Sequence, residues 1–206
     1  MTRARLEAFS DGVIAILITI MVLELKIPHG STLEALRPIL PIFMAYLLSF
    51  TILGIYWNNH HHMFHVVDHV NGAILWANLH LLFWLSLIPV TTGWMGENAL
   101  APWPTAVYGV VLWLSGIAYN ILVRTIIRHE GPHSRLAQAV KRDVKGKASI
   151  AIYFVALPLA FVRPWIAQTL YALVALMWLV PDRRIESRIN HEHHDHREPR
   201  EHGEIG

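Results

Sequence analysis

No cysteine occurs among the 206 residues, which excludes a disulfide framework, a thiolate metal site and a thiol nucleophile together. Charge is scarce as well: Asp, Glu, Lys and Arg make up 16% of the chain, against about 25% in a typical soluble domain. There is no Gly-rich phosphate loop, no Gly-x-Ser-x-Gly elbow, no ATP-binding module and no pair of carboxylates on one face, so the enzyme classes built on those motifs do not find their residues here. What is present is apolar, with 54% hydrophobic residues and a mean hydropathy of +0.38. Lipid is the solvent such a composition calls for. The formal charge of +2 does not mark a nucleic-acid binder, because the basic residues lie between apolar runs.

Those runs predict an all-α integral membrane protein with six transmembrane helices at about residues 6–27, 39–64, 71–94, 104–127, 148–163 and 165–181. Pro28, Pro38, Pro102, Pro104, Pro164 and Pro181 fall near the proposed ends, where proline breaks no interior hydrogen bond. The last two runs join at Arg163-Pro164, so one bent hairpin stays open beside two crossings. Residues 1–181 then form the membrane domain, and 182–206 a polar, His-rich tail. An N-terminal signal peptide is not read: Glu7, Ser10 and Asp11 interrupt the first run, and no small-x-small cleavage site follows Leu25. Of the 17 Lys and Arg, all but Lys26, Arg37 and Arg163 fall on one side of this arrangement. The positive-inside rule places that side, with both termini, in the cytoplasm.

On the first helix, Ile16, Thr19, Ile20 and Leu23 share one stripe at 100° per residue, and Ser10 and Asp11 project to the opposite side. An apolar stripe at this spacing suits core packing as well as a pore. An ionised Asp inside a membrane costs about 2.5–3.5 kcal/mol on insertion scales, so Asp11 is expected to face protein donors. Counting depth at 1.5 Å per residue, the polar residues level with it are Trp57, Asn58, His60 and His61 on helix 2 and Asn78 on helix 3. A network of Ser10 and Asp11 with Trp57, His61 and Asn78 is the expectation.

The segment Arg5-x-x-x-Phe9-Ser10-Asp11, continuing Gly12-Val13-Ile14-Ala15-Ile16 to Thr19, resembles the helix-1 signature of the transmembrane protein 175 family of potassium channels. Tyr56-Trp57-Asn58-Asn59-His60-His61-His62-Met63-Phe64 resembles that family's second helix, and Ala77-Asn78-Leu79 with Pro89-Val90-Thr91-Thr92 its third. The resemblance implies a six-helix subunit, four copies of which surround a central pore lined by helix 1. It further implies that Ile16 is the narrowest apolar ring, Ile20 and Leu23 further rings, and Thr19 a hydroxyl ring assisting potassium selectivity. Such rings gate by dewetting, since an ion sheds its hydration shell only where other ligands replace it. With no Thr-Val-Gly-Tyr-Gly filter in the chain, selectivity is expected to be weaker than in channels built on one. A homotetramer in a bacterial plasma membrane, conducting potassium passively and needing no cofactor, is the resulting expectation.

Fourteen histidines invite a metal reading, above all His60, His61, His62, His65 and His69, then His191, His193, His194 and His196. A di-iron membrane enzyme needs several boxes of defined spacing, and two runs at separate places do not supply them, so no catalytic metal is expected. The alternative function is a secondary cation/proton transporter carrying protons on Asp11 and nearby His.

Overall fold

The computed structural model describes residues 2–67, 69–140 and 143–179, and the regular elements among them are all helical. Helix α1 (Arg3–Ile20) tightens into a 3-10 turn at Met21–Glu24, and a second 3-10 segment (Leu33–Ile39) leads into α2 (Leu40–His65). Then come α3 (Gly72–Ser86) and α4 (Ile88–Glu97), which make one bent crossing. They are followed by α5 (Pro102–Glu130), the short α6 (Arg135–Val140), α7 (Val144–Val162) and α8 (Pro164–Leu179). The tail from Asp182, with its four clustered histidines, lies outside the described residues, as do Lys141 and Arg142.

Five helical stretches are long and apolar enough to cross a bilayer: Arg3–Glu24, Leu33–His65, Gly72–Glu97, Pro102–Glu130 and Val144–Val162. The sixth apolar helix is shorter. Its 16 residues span about 24 Å against a hydrocarbon core of about 30 Å, so of the six runs read from the sequence five are long enough to cross and the last, α8, is shorter. α7 and α8 are nonetheless separate helices packed on one another, broken at Arg163, whose backbone is extended.

Local chemistry explains the boundaries. The Asn71 side chain accepts the Ile74 N–H at 2.9 Å to start α3, and Asp143 accepts the Gly146 N–H at 2.8 Å to start α7. Proline stands in the first turn of α2, α4, α5 and α8, where its missing N–H costs nothing. Pro89 has a second effect: it removes a donor just past Ser86, and the α3–α4 crossing bends there. Gly131 ends α5 at φ +98°, a region that side chains disfavour.

α5 is the hub, packed against α3, α4, α7 and α8. Polar side chains inside the bundle find partners there, as they must where no water competes. Ser49 Oγ lies 2.7 Å from Thr92 Oγ1 and 2.8 Å from the Tyr108 hydroxyl, joining α2, α4 and α5. The Tyr171 hydroxyl donates to the Thr105 carbonyl at 3.2 Å, in space that a side chain at Gly109 would fill.

Candidate functional site

α1 has two faces of different chemistry. Leu6, Ser10, Ile14, Leu17 and, in the following turn, Met21 are buried against the rest of the subunit. The stripe points away. Ile16 is 62% exposed on the single subunit, Ile20 46% and Leu23 77%, and Thr19 is exposed between them. Within one subunit these residues are therefore not core. Leu23 sits in the 3-10 turn, so its direction departs from the 100° step assumed for the whole helix.

The Thr19 hydroxyl turns inward to its own helix, donating to the carbonyls of Ala15 and Ile16 at 3.0 Å each. Its proton is thereby committed to backbone, and its two lone pairs remain to accept. An oxygen in that state is an acceptor, suited to a cation and unsuited to an anion.

Behind the stripe, three buried side chains form a chain of donors. His60 Nε2 lies 2.8 Å from Asn78 Oδ1, Asn78 Nδ2 donates to Ser10 Oγ at 2.9 Å, and Ser10 Oγ donates to the Leu6 carbonyl at 2.9 Å. With Asn78 offering its oxygen, His60 must carry its proton on Nε2. This chain ties α1 to α2 through α3. All three residues are fully buried.

The structure thus brings Ser10 and Asn78 together, but through His60 where His61 was expected. His61 turns instead to Glu7, with Nδ1 to Oε1 at 2.9 Å. Trp57 stands outside the network and stacks on His61 at 6.0 Å between ring centroids. Asp11 Oδ1 is buried without a hydrogen-bond partner among the described residues, so none of the expected donors bonds to that oxygen. Phe9 and Arg5 are exposed. Arg3 reaches a neighbouring helix: its Nη1 donates to the carbonyls of His65 at 3.3 Å and Val67 at 3.2 Å, capping the end of α2.

Helical periodicity would have found His60. Along α2 the buried positions include Ser49, Ile52, Leu53, His60, Met63 and Phe64, and His60 falls three turns after Ser49 on that face. Depth alone does not separate His60 from His61, which differ by about 1.5 Å along the axis yet by about 100° around it.

At the far end of α1, Lys26 Nζ meets Glu97 Oε1 at 2.6 Å, fastening the loop after α1 to the end of α4. The hydrogen bond to Glu97 holds the exposed Lys26 ammonium above its usual range.

Comparison with known proteins adds the following. Residues 5–89 match the family described as "Endosomal/lysosomal potassium channel TMEM175". The chain is 57% identical over 189 residues to a potassium channel of Chryseobacterium sp. (strain P1-3), covering 92% of this chain and 98% of that protein. It is 36% identical over 126 residues to a potassium channel of Streptomyces collinus, covering 57% and 61% respectively. Among solved structures, a lysosomal potassium-selective channel TMEM175 homolog from Chamaesiphon minutus superposes with a TM-score of 0.74 at 28% identity, over 86% of this chain and 96% of that one.

Proposed function

This chain belongs to the TMEM175 family of potassium channels, and we propose on that premise that four copies enclose a central pore lined by the exposed face of α1. The family is one of ion channels, not enzymes, and the chain is a multi-pass membrane protein. The observation that carries the reading is the division of α1. One face is held to the subunit by buried contacts, and Ile16, Thr19, Ile20 and Leu23 occupy the other.

In the assembled channel, Ile16 forms the narrowest ring, with Ile20 and Leu23 as further apolar rings on the other side of Thr19. A closed ring of Ile side chains excludes water, and without replacement ligands an ion does not cross. Four Thr19 hydroxyls, each with its proton turned to backbone, supply acceptor oxygens that offset part of the dehydration cost. Potassium loses less on dehydration than sodium does, so the same oxygens offset a larger share of its cost. The Ser10–Asn78–His60 chain keeps α1 in register while its outer face is free to line the pore. The membrane is a bacterial plasma membrane, with the Arg3 end of α1 in the cytoplasm.

Reversal potentials of purified protein in planar bilayers under a potassium/sodium gradient test this reading. The expected result is a potassium-directed current, enlarged by Ile16→Asn and made less selective by Thr19→Ala. A saturable flux that requires a counter-ion, unchanged by either substitution, would overturn it in favour of an exchanger working through Asp11, whose buried Oδ1 lacks a partner among the described residues.

A further inference from the structure

We infer that the start of α1 and the end of α2 together form a binding site for a divalent transition-metal ion, with Glu7, His61 and His65 as its ligands. The one-letter spacing is the first ground: His61 and His65 stand four residues apart on α2, so both imidazoles lie on one face a single turn apart. Their rings approach to 4.5 Å between centroids, edge to face. The second ground is Glu7, which comes from the other helix and already places Oε1 2.9 Å from His61 Nδ1. One ligand atom from each of the three residues lies within 4.8 Å of the others. In a tetrahedral zinc site with metal–ligand distances of about 2.0–2.2 Å, neighbouring donors stand roughly 3.3 Å apart, so small side-chain rotations complete the set. Water fills the fourth position.

Donor chemistry selects the ion. Two imidazoles and one carboxylate suit zinc, cobalt, nickel or copper, whereas magnesium and calcium demand oxygen shells that this site lacks. The surroundings hold the ligands in place. Trp57 stacks on His61, and the Arg3 guanidinium fixes the backbone at His65 through its carbonyl while pointing its charge at that oxygen. The side chains of Glu7 and His61 are 16% and 37% exposed, so the site is open to water on one side and enclosed on the other. Because the ligands come from two helices, a bound ion fastens the beginning of α1 to the end of α2. Binding of this kind is independent of whether α1 lines a pore.

The experiment uses the full-length chain carrying His191→Asn, His193→Asn, His194→Asn, His196→Asn and His202→Asn, so that tail imidazoles do not report. Cobalt is titrated and followed by its visible ligand-field absorption, with zinc, magnesium and calcium as competitors. The expected result is one cobalt per chain, displaced by zinc and not by magnesium or calcium, and a raised Tm on binding. His61→Asn, His65→Asn and Glu7→Gln should each weaken binding by at least about ten-fold, the lower end of what even outer-shell changes cost. Glu7→His, which supplies a third imidazole, should retain the site, and metal-free Tm values show that each variant is folded. Absence of saturable cobalt binding, or binding unchanged when His61 and His65 are both replaced, would overturn the assignment.

Discussion

Replacing Asn78 by Ala removes the middle of the buried donor chain, and its cost falls unevenly on the two neighbours. Ser10 keeps its bond to the Leu6 carbonyl and loses only an incoming donor, worth about 0.6 kcal/mol on average inside membrane proteins. His60 fares worse. Among the described residues its Nδ1 already has no partner, and without Asn78 its Nε2 has none either, in a side chain that is fully buried. Leaving such a donor unpaired costs about 1–3 kcal/mol. Together the loss is about 2–4 kcal/mol, which at about 2–4 °C per kcal/mol for a chain of this size lowers Tm by roughly 4–16 °C. Thermal unfolding of the purified protein in detergent reads this directly. The double variant His60→Phe with Asn78→Leu removes both polar partners and places a ring beside Phe64, now 4.6 Å from the His60 ring, so it should recover most of the loss. A Tm for Asn78→Ala within about 1 °C of wild type, or no recovery in the apolar pair, would refute the reasoning.

Other outcomes follow from packing and charge. A Cβ on Gly96 would stand 2.7 Å from the Ile42 Cα, so Gly96→Ala must push α4 off α2; a loss of about 1–3 kcal/mol in the same unfolding assay is expected, and Gly12→Ala, whose Cβ meets open space in the subunit, should show none of it before assembly. The Lys26–Glu97 pair is exposed, so Lys26→Ala should change Tm only slightly, and less still at high salt. Its sign is set by the raised Lys26 value. The contribution is fully present below the ordinary 10.5 and is lost as pH rises through the folded value, so wild type and Lys26→Ala should converge in strong alkali.

How much of this was legible beforehand depends on which physical signal each feature leaves. Apolar run length and proline punctuation located the crossings to within a few residues, since the demand that lipid makes on backbone hydrogen bonds is strong and local. The short α6 and the bend at Pro89 were not read, because neither changes the apolar run that contains or flanks it. On α1, the 100° projection separated the Ser10 face from the Ile16 face correctly as far as the α-helix extends. On α2 and α3 only depth was used, and depth is blind to direction, which is why His61 and Trp57 stood in for His60. Glu7 was read only as a charge that interrupts the first apolar run, and its pairing was not: its partner is a histidine 54 positions away, and pairing of that kind is a property of helix packing.

The most direct test of the pore-lining face of α1 exploits the absence of native cysteine, since any single introduced thiol reports alone. Thr19→Cys and Leu23→Cys are expected to react with a water-soluble, membrane-impermeant thiol reagent and to lose potassium current as they do. Trp76→Cys and Val162→Cys, exposed on the subunit surface but on other helices, should leave the current unaffected. Unaltered current after full modification at both Thr19→Cys and Leu23→Cys would contradict a pore on this face and return the stripe to lipid.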